Sequence, residues 1–367
     1  MQSASTMTAT IFNLPRSAPP RRRLSASGTV VGIDIGSQSI KIVQLEAGAD
    51  RLRVCRTVPH ANPPSGFHPE LWLAEIERTL SCAWSSRNRW WPLPAACVLS
   101  MRMMTFRTVE VADSADESAQ QQALQDAFND DSTVSAGTSV TEAWSTHLDG
   151  PLHGSRNYAL LGVDEHFAEG LAAVLWRGGL DCRILDGPPF ALARAIGRSA
   201  IEPVAVIDWG DSAMTLTIVV DGRPYYTRIL RDCELRALTA AMMRPLDLEA
   251  EQCQQLLVAY GFCEIDTGVE PSDMRSVLGE LSEPYLHQVQ DELRRTWSFL
   301  QQLPGQTPKS AILLGGGAAV KRSVEIVREA FPIPIHVWSL PSTAITPSEH
   351  DASFAAAYAV AGLLKNR

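Results

Sequence analysis

Ile33-Asp34-Ile35-Gly36-Ser37-Gln38-Ser39 decides the reading of this chain, because it returns as Ile207-Asp208-Trp209-Gly210-Asp211-Ser212-Ala213. Both the aspartates and the glycines are separated by 174 residues (208 − 34 and 210 − 36), close to half of the 367. In each copy an apolar run delivers an Asp and breaks at Gly, the pattern of a buried strand that ends in a tight turn. A third element, Ala311-Ile312-Leu313-Leu314-Gly315-Gly316-Gly317-Ala318, is an apolar strand that ends in three glycines. Two matched Asp-Gly turns followed by a glycine-rich turn predict an α/β protein of two related halves that close on one phosphate-rich ligand.

The chemistry follows from the turns. Glycine at a strand–strand turn lets backbone N–H groups approach a phosphate, and Ser37, Gln38 and Ser39 add side-chain donors. Asp34 and Asp208, one before each turn, are suited to holding Mg²⁺ through its waters, because that ion dehydrates reluctantly. Gly315, Gly316 and Gly317 precede a helix, and their missing side chains leave room for a nucleoside. Each element alone is weak; their order and the matched interval carry the signal. No Gly-Lys dipeptide marks a Walker-type loop, and the third glycine of a dinucleotide fingerprint is missing.

Outward from the turns, the first half reads as strands Val30–Ile35, Ile40–Glu46 and Leu52–Val58, a helix Pro69–Ser86 and a strand Ala95–Ser100. Residues 101–180 are less regular, with strands Thr105–Val111 and Tyr158–Val163 and helices Glu117–Asn129 and Asp164–Gly178. Ile184–Asp186 and an apolar helix, Pro189–Gly197, lead to the second half. There Val204–Asp208, Met214–Asp221 and Arg223–Leu230 read as strands, with Asp221-Gly222 as a hairpin turn. Helices follow at Leu235–Met243, Leu248–Tyr260 and Glu283–Leu303, the last with an apolar stripe at helical spacing. Val320–Ala330, the strand Ile335–Trp338 and an Ala-rich helix Ser353–Leu364 close the chain.

Composition sets the class. At 367 residues, with 45% apolar and 20% charged residues, the chain is a folded protein of two domains. A net charge of −9 argues against a nucleic-acid surface. Seven cysteines without a Cys-x-x-Cys pair read as small buried hydrophobes in a reducing compartment, and no apolar run is long enough to span a bilayer. The eight histidines lack ligand spacing. Residues 1–28 carry four arginines, no acid and a Pro-rich stretch, which predicts a flexible tail. Trp84, Trp90 and Trp91 around Arg87 and Arg89 read as packing beside a helix end rather than an interaction patch. Asp113, Asp116, Glu117, Asp126, Asp130 and Asp131 read as a solvated acidic face, a docking face for a basic tail being the sharper alternative.

These residues resemble the actin-like ATPase superfamily and, within it, the PilM family of type IV pilus assembly proteins. Gly32–Val43 looks like that family's first phosphate loop; Asp208–Leu216 with Asp221-Gly222 and Tyr226-Thr227-Arg228 is similar to its second loop and hairpin. Glu292–Phe299 and Ile312–Ala318 resemble its helix and adenosine loop, and Phe190–Ala195 its connecting helix. The resemblance runs in order from Val30 to Leu364. It implies a duplicated actin-like (ribonuclease-H-like) fold, with residues 29–198 as a first lobe, an inserted subdomain at about 101–180, and 199–367 as a second lobe with a closing C-terminal helix. By the same resemblance MgATP lies in a cleft, with Asp34 and Asp208 facing the metal. Ser37–Ser39 and Gly210, Asp211 and Ser212 then hold the phosphates, and Gly315–Gly317 and Glu251 lie near the nucleoside. The implied role is a cytoplasmic adaptor at the inner face of the inner membrane, in a type IV pilus or type II secretion assembly platform. It docks the tail of a PilN-like membrane protein, touches the membrane only through that partner, leaves room for self-association, and is at most a weak ATPase.

The sequence departs from the family pattern in three places. A Gly-Gly pair is replaced by Arg231-Asp232-Cys233-Glu234, the Lys of Ala-Glu-x-x-Lys by Gln254, and a Pro-Gly by Ser100-Met101. These changes favour a weak or vestigial nucleotide site on a retained scaffold. An actin-fold sugar kinase would need a polar substrate pocket with a base, and none stands out. A filament-forming relative such as FtsA would carry an amphipathic C-terminal tail, whereas this chain stops soon after its closing helix. Ile11-Phe12-Asn13-Leu14-Pro15-Arg16 looks like the tail motif that PilN offers to PilM, which suggests a tail that folds back into a partner groove.

Overall fold

The computed structural model describes residues 28–46, 51–83, 92–112, 115–129, 139–149, 155–197, 202–263, 274–302, 307–341 and 351–365. The basic tail with Ile11–Arg16, the Trp84, Trp90 and Trp91 group, and Asp113, Asp130 and Asp131 lie outside these residues. The chain divides into two units: one runs to Ala191 and resumes at Ala356, the other is Leu192–Ala355.

The first unit is built on a five-stranded sheet of order β3-β2-β1-β4-β8. Its strands are β1 (Thr29–Ile35), β2 (Ser39–Glu46), β3 (Leu52–Pro59), β4 (Leu93–Leu99) and β8 (Leu180–Asp186). The first three form an antiparallel meander, while β4 and β8 join in parallel. Central β1 is packed on both faces, and Val30, Val31, Ile33 and Ile35 are fully buried, as a strand covered by helices requires. Helices α1 (Pro69–Ala83) and α3 (Glu165–Arg177) pack together, and Asp164 caps α3 by accepting the Phe167 N–H at 2.8 Å. Between β4 and α3 lies a small subdomain: β5 (Thr105–Ala112), α2 (Glu117–Asn129), β6 (Ser139–Asp149) and β7 (Ser155–Asp164), with sheet order β5-β7-β6. The sequence predicts β5, α2 and β7 there; β6 is an additional edge strand.

The second unit repeats the plan after α4 (Pro188–Ala195). Its sheet has the order β11-β10-β9-β12-β13, from β9 (Val204–Trp209), β10 (Met214–Val220), β11 (Arg223–Leu230), β12 (Ser310–Leu314) and β13 (Ile335–Val337). The pairing is again antiparallel for the meander and parallel for the last two strands. The β10–β11 turn has Asp221 and Gly222 both at positive φ (50° and 70°), the left-handed pair that a two-residue hairpin demands. Helices α5 (Leu235–Leu246), α6 (Ala250–Tyr260) and α7 (Met274–Leu300) fill the connection to β12, and α8 (Ser323–Ala330) precedes β13. The sequence starts α7 at Glu283, whereas the helix begins at Met274 and holds Pro284 inside.

The closing helix α9 (Ala355–Lys365) belongs from Ala356 onward to the first unit, a correction to the boundary that gave residues 199–367 to the second. Packing explains it. A Cβ on Gly32 of β1 would overlap the Ala357 carbonyl oxygen and lie 2.9 Å from the Ala361 Cβ, so a glycine and an alanine stripe bring helix and sheet into backbone contact. All seven cysteines are free, and Cys97, Cys233 and Cys253 are buried. Among the described residues no helix is long and apolar enough to cross a membrane.

Candidate functional site

The first Asp-Gly turn joins β1 to β2 and is closed by the Gly36 N–H donating to the Ser39 carbonyl at 3.1 Å. Hairpin register sets Asp34 opposite Lys41. The Lys41 Nζ lies 3.3 Å from the Asp34 Oδ2, and a Cβ on Gly36 would come within 2.9 Å of that amine. A cation therefore sits over the turn, oriented by the acid. Ser37 is buried, and Gln38 and Ser39 are half-buried.

His60 supports the turn from beneath. Its backbone N–H donates to the Gln38 carbonyl at 2.8 Å, its Nε2 meets the Gly36 carbonyl at 3.2 Å, and its Nδ1 meets the Thr79 hydroxyl at 3.0 Å. A carbonyl only accepts, so Nε2 carries the proton, and the single hydrogen of the Thr79 hydroxyl lies between Nδ1 and the Glu75 Oε1, which is 3.3 Å away. Burial lowers the His60 pKa, outweighing the Gly36 carbonyl and the Glu75 charge, so the ring is neutral at pH 7. Burial alone would raise Glu75, but Arg78 and the Asn62 N–H hold its carboxyl below the usual range. Thus α1, which carries Glu75, Arg78 and Thr79, is tied to the turn through one buried polar network.

The second turn, between β9 and β10, closes in the same way: the Gly210 N–H donates to the Ala213 carbonyl at 3.0 Å. Its surroundings differ. Trp209 is fully buried and stacks on Phe262 at 5.1 Å with 19° between the rings. The indole N–H is shared between the Cys233 carbonyl (3.0 Å) and the Tyr285 hydroxyl (2.9 Å), and that hydroxyl donates to the same carbonyl at 2.7 Å. Burial raises the Tyr285 pKa and keeps it a donor. Burial and the nearby Glu292, Glu234 and Asp232 carboxylates push the Cys233 thiol up to about 12, so it stays protonated. The N-terminus of α5 closes over the turn, with the Leu235 N–H on the Gly210 carbonyl (3.1 Å) and the Arg236 N–H on the Asp211 carbonyl (3.0 Å). The Arg236 guanidinium also donates to the Asp211 Oδ2 at 2.9 Å.

The glycine-rich turn lies against this second turn, inside one unit. Gly315 has φ 84°, and a Cβ there would overlap the Asp208 Oδ1 and sit 2.8 Å from the Trp209 carbonyl. A Cβ on Gly317 would fall 2.5 Å from the Trp209 Cγ. The space that Gly317 leaves is therefore filled by the protein's own indole, while Gly316 faces Leu235 more loosely, at 3.8 Å. Asp208, Gly210, Asp211, Ser212 and Gly315–Gly317 form one cluster, and Asp34 and Gly36–Ser39 form another. Glu251 is exposed in the first turn of α6, at the end away from Gly261, which packs on Lys321. The replacement loop Arg231–Glu234 places Asp232 at φ 57°, a left-handed position that glycine would occupy without strain. Sequence reasoning misses Lys41 and His60: the first is legible as the hairpin partner of Asp34, seven residues on, whereas no local signal announces the second.

The donor set suits a hard cation. Among the described residues no group of three or more His, Cys, Asp or Glu gathers, so a metal here would rest on single carboxylates, water and phosphate, as Mg²⁺ does. Gly315 also provides the recess that the Asp208 carboxylate occupies.

Two units of matching sheet order, each with an Asp-Gly turn at the end of its central strand, define an actin-like fold. No family model and no curated protein sequence matches the chain. Among solved structures, a PilM-PilN type IV pilus biogenesis complex is similar over 92% of this chain and 98% of the matched one, at 18% identity and a TM-score of 0.69. MreB5 of Spiroplasma citri bound to ADP matches over 93% and 99%, at 9% identity and a TM-score of 0.51. The same protein bound to AMPPNP matches over 91% and 95%, at 9% identity and 0.50. At these identities the likeness establishes the fold.

Proposed function

We propose that this protein is a PilM-like adaptor: a cytoplasmic, actin-fold component of a type IV pilus or type II secretion platform that docks the tail of a PilN-like inner-membrane protein. The observation that carries the reading is a fold match spanning nearly all of both chains with the PilM-PilN complex. Association with the inner membrane then runs through the partner, and self-association is compatible with it. ATP is the ligand proposed for the turns. Ser37, Gln38 and Ser39 with Gly210, Asp211 and Ser212 take phosphate oxygens, Gly315, Gly316 and Gly317 and Glu251 lie toward the nucleoside, and Asp34 and Asp208 are the acids that would hold Mg²⁺. When bound, Mg²⁺ supplies charge neutralisation of the polyphosphate; the protein orients its carboxylates with Lys41 and the Gly315 recess.

A second reading, an actin-fold scaffold that no longer binds nucleotide, is favoured by the Trp209 indole filling the space at Gly317. Calorimetric titration with MgATP, repeated on Asp34→Ala, separates the two. Binding that the substitution abolishes establishes the nucleotide site, and no binding by the wild type leaves the scaffold. The adaptor role has its own test: titration with a synthetic peptide of the PilN-like tail. Absence of binding both with and without MgATP overturns it.

A further inference from the structure

Each turn carries an acid paired with a cation: one from the strand that follows the turn, the other from the helix after the hairpin. In the first unit, Lys41 of β2 rests on Asp34 and lies over Gly36. In the second, Arg236 of α5 rests on Asp211, the residue after Gly210, through one guanidinium nitrogen at 2.9 Å. The Asp211 side chain is 16% exposed, whereas Arg236 remains 32% exposed, so the guanidinium is held at one edge and keeps part of its surface accessible. A guanidinium carries five N–H donors in one plane. An Arg anchored by one carboxylate contact has already lost rotamer freedom and loses less on taking up an anion. Its backbone is fixed as well, by the Arg236 N–H on the Asp211 carbonyl. The Asp211 carboxylate alone would repel a phosphate at this turn, and Arg236 offsets that charge.

We propose that Arg236 is the anion-holding residue of the second turn: Asp211 orients the guanidinium, and its remaining N–H groups take a phosphate oxygen of a polyphosphate. This rests on the reading of the turn as a phosphate site and adds to it a ligand from α5. The alternative role is a latch that fixes α5 to the turn without meeting any ligand.

The test titrates the full chain calorimetrically with sodium tripolyphosphate and with MgATP, for the wild type, Arg236→Gln and Arg236→Lys. Thermal melts without ligand report folding. The expected result is that Arg236→Gln weakens binding of both probes by about tenfold or more, the size of a lost hydrogen bond to a charged group. Arg236→Lys keeps the charge but not the fork and falls between. Unchanged affinity in Arg236→Gln, with a lowered melting temperature, leaves only the latch and overturns the inference while the nucleotide reading survives. If the wild type takes tripolyphosphate but not MgATP, and Arg236→Gln loses it, the nucleotide reading falls and the inference stands. A wild type that takes neither probe overturns both.

Discussion

Two glycine-to-alanine substitutions at the α9 interface should move stability in opposite directions. Gly32 lies on buried β1, where a new methyl would overlap the Ala357 carbonyl oxygen and approach the Ala361 Cβ to 2.9 Å. Both obstacles belong to a helix, so relief requires α9 to shift off the sheet rather than a side chain to turn. Overpacking of this kind costs about 1–3 kcal/mol. Gly362 lies inside α9, and a methyl added there would meet nothing within 4 Å, so alanine gains helix propensity of roughly 0.5–1 kcal/mol. For a unit of this size each kcal/mol shifts the melting point by about 2–4 °C. Differential scanning calorimetry should show Gly32→Ala melting lower by several degrees and Gly362→Ala higher by a few. Because α9 from Ala356 belongs to the first unit, the shift should fall on that unit's transition where the two resolve. Gly32→Ala melting at or above the wild type would refute the packing argument, and a lower melting point for Gly362→Ala would refute the open space assigned to it.

Trp209→Phe removes the shared indole donor and part of a fully buried ring, while the Tyr285–Cys233 bond survives; denaturant unfolding should show a loss of about 2 kcal/mol. Gly317→Ala drives a methyl to 2.5 Å of the same ring and should cost about 1–3 kcal/mol in that assay. The His60 pKa is lowered in the folded chain, so from its ordinary value of about 6.5 downward the unfolded chain binds more protons than the folded one. Stability therefore rises with pH across that window and is lost on acidification. Melting temperatures between pH 7.5 and 5.5 should fall more steeply for the wild type than for His60→Gln, and parallel curves would remove His60 from the account.

Much of this architecture is legible in the sequence because its signals are local. Alternation, the Asp221-Gly222 turn and the repeated Asp-Gly signature mark strands whose pairing the structure bears out. What the sequence hides depends on distance. β6 is an edge strand, Ser139 to Asp149, paired among the described residues with β7, and its mixed sequence shows no clean alternation that would mark a strand. The sequence starts α7 nine residues late because Pro284 reads as a first-turn residue, although a long helix with one buried face tolerates it inside. Lys41 acquires its place only when the hairpin closes. His60 acquires its own only when 24 residues of chain bring it under Gly36, and without ligand spacing it reads like any surface histidine. Gly317 reads as room for a nucleoside, but a glycine's space can be filled from within the protein as well as from outside.

The two halves share a topology and a signature, yet their turns are held by different chemistry. Beneath the first, His60, Thr79 and Glu75 form a polar network in which burial keeps the His60 ring neutral at pH 7. Around the second, Trp209, Phe262 and Tyr285 form an aromatic cluster in which Tyr285 and the neighbouring Cys233 have pKa values pushed up by burial. That cluster stays in one protonation state across the physiological range. Duplication therefore kept the turn and changed the chemistry that supports it. In the first unit α1 is tied to the turn through His60, Thr79 and Glu75, whereas in the second the N-terminus of α5 closes directly over the turn.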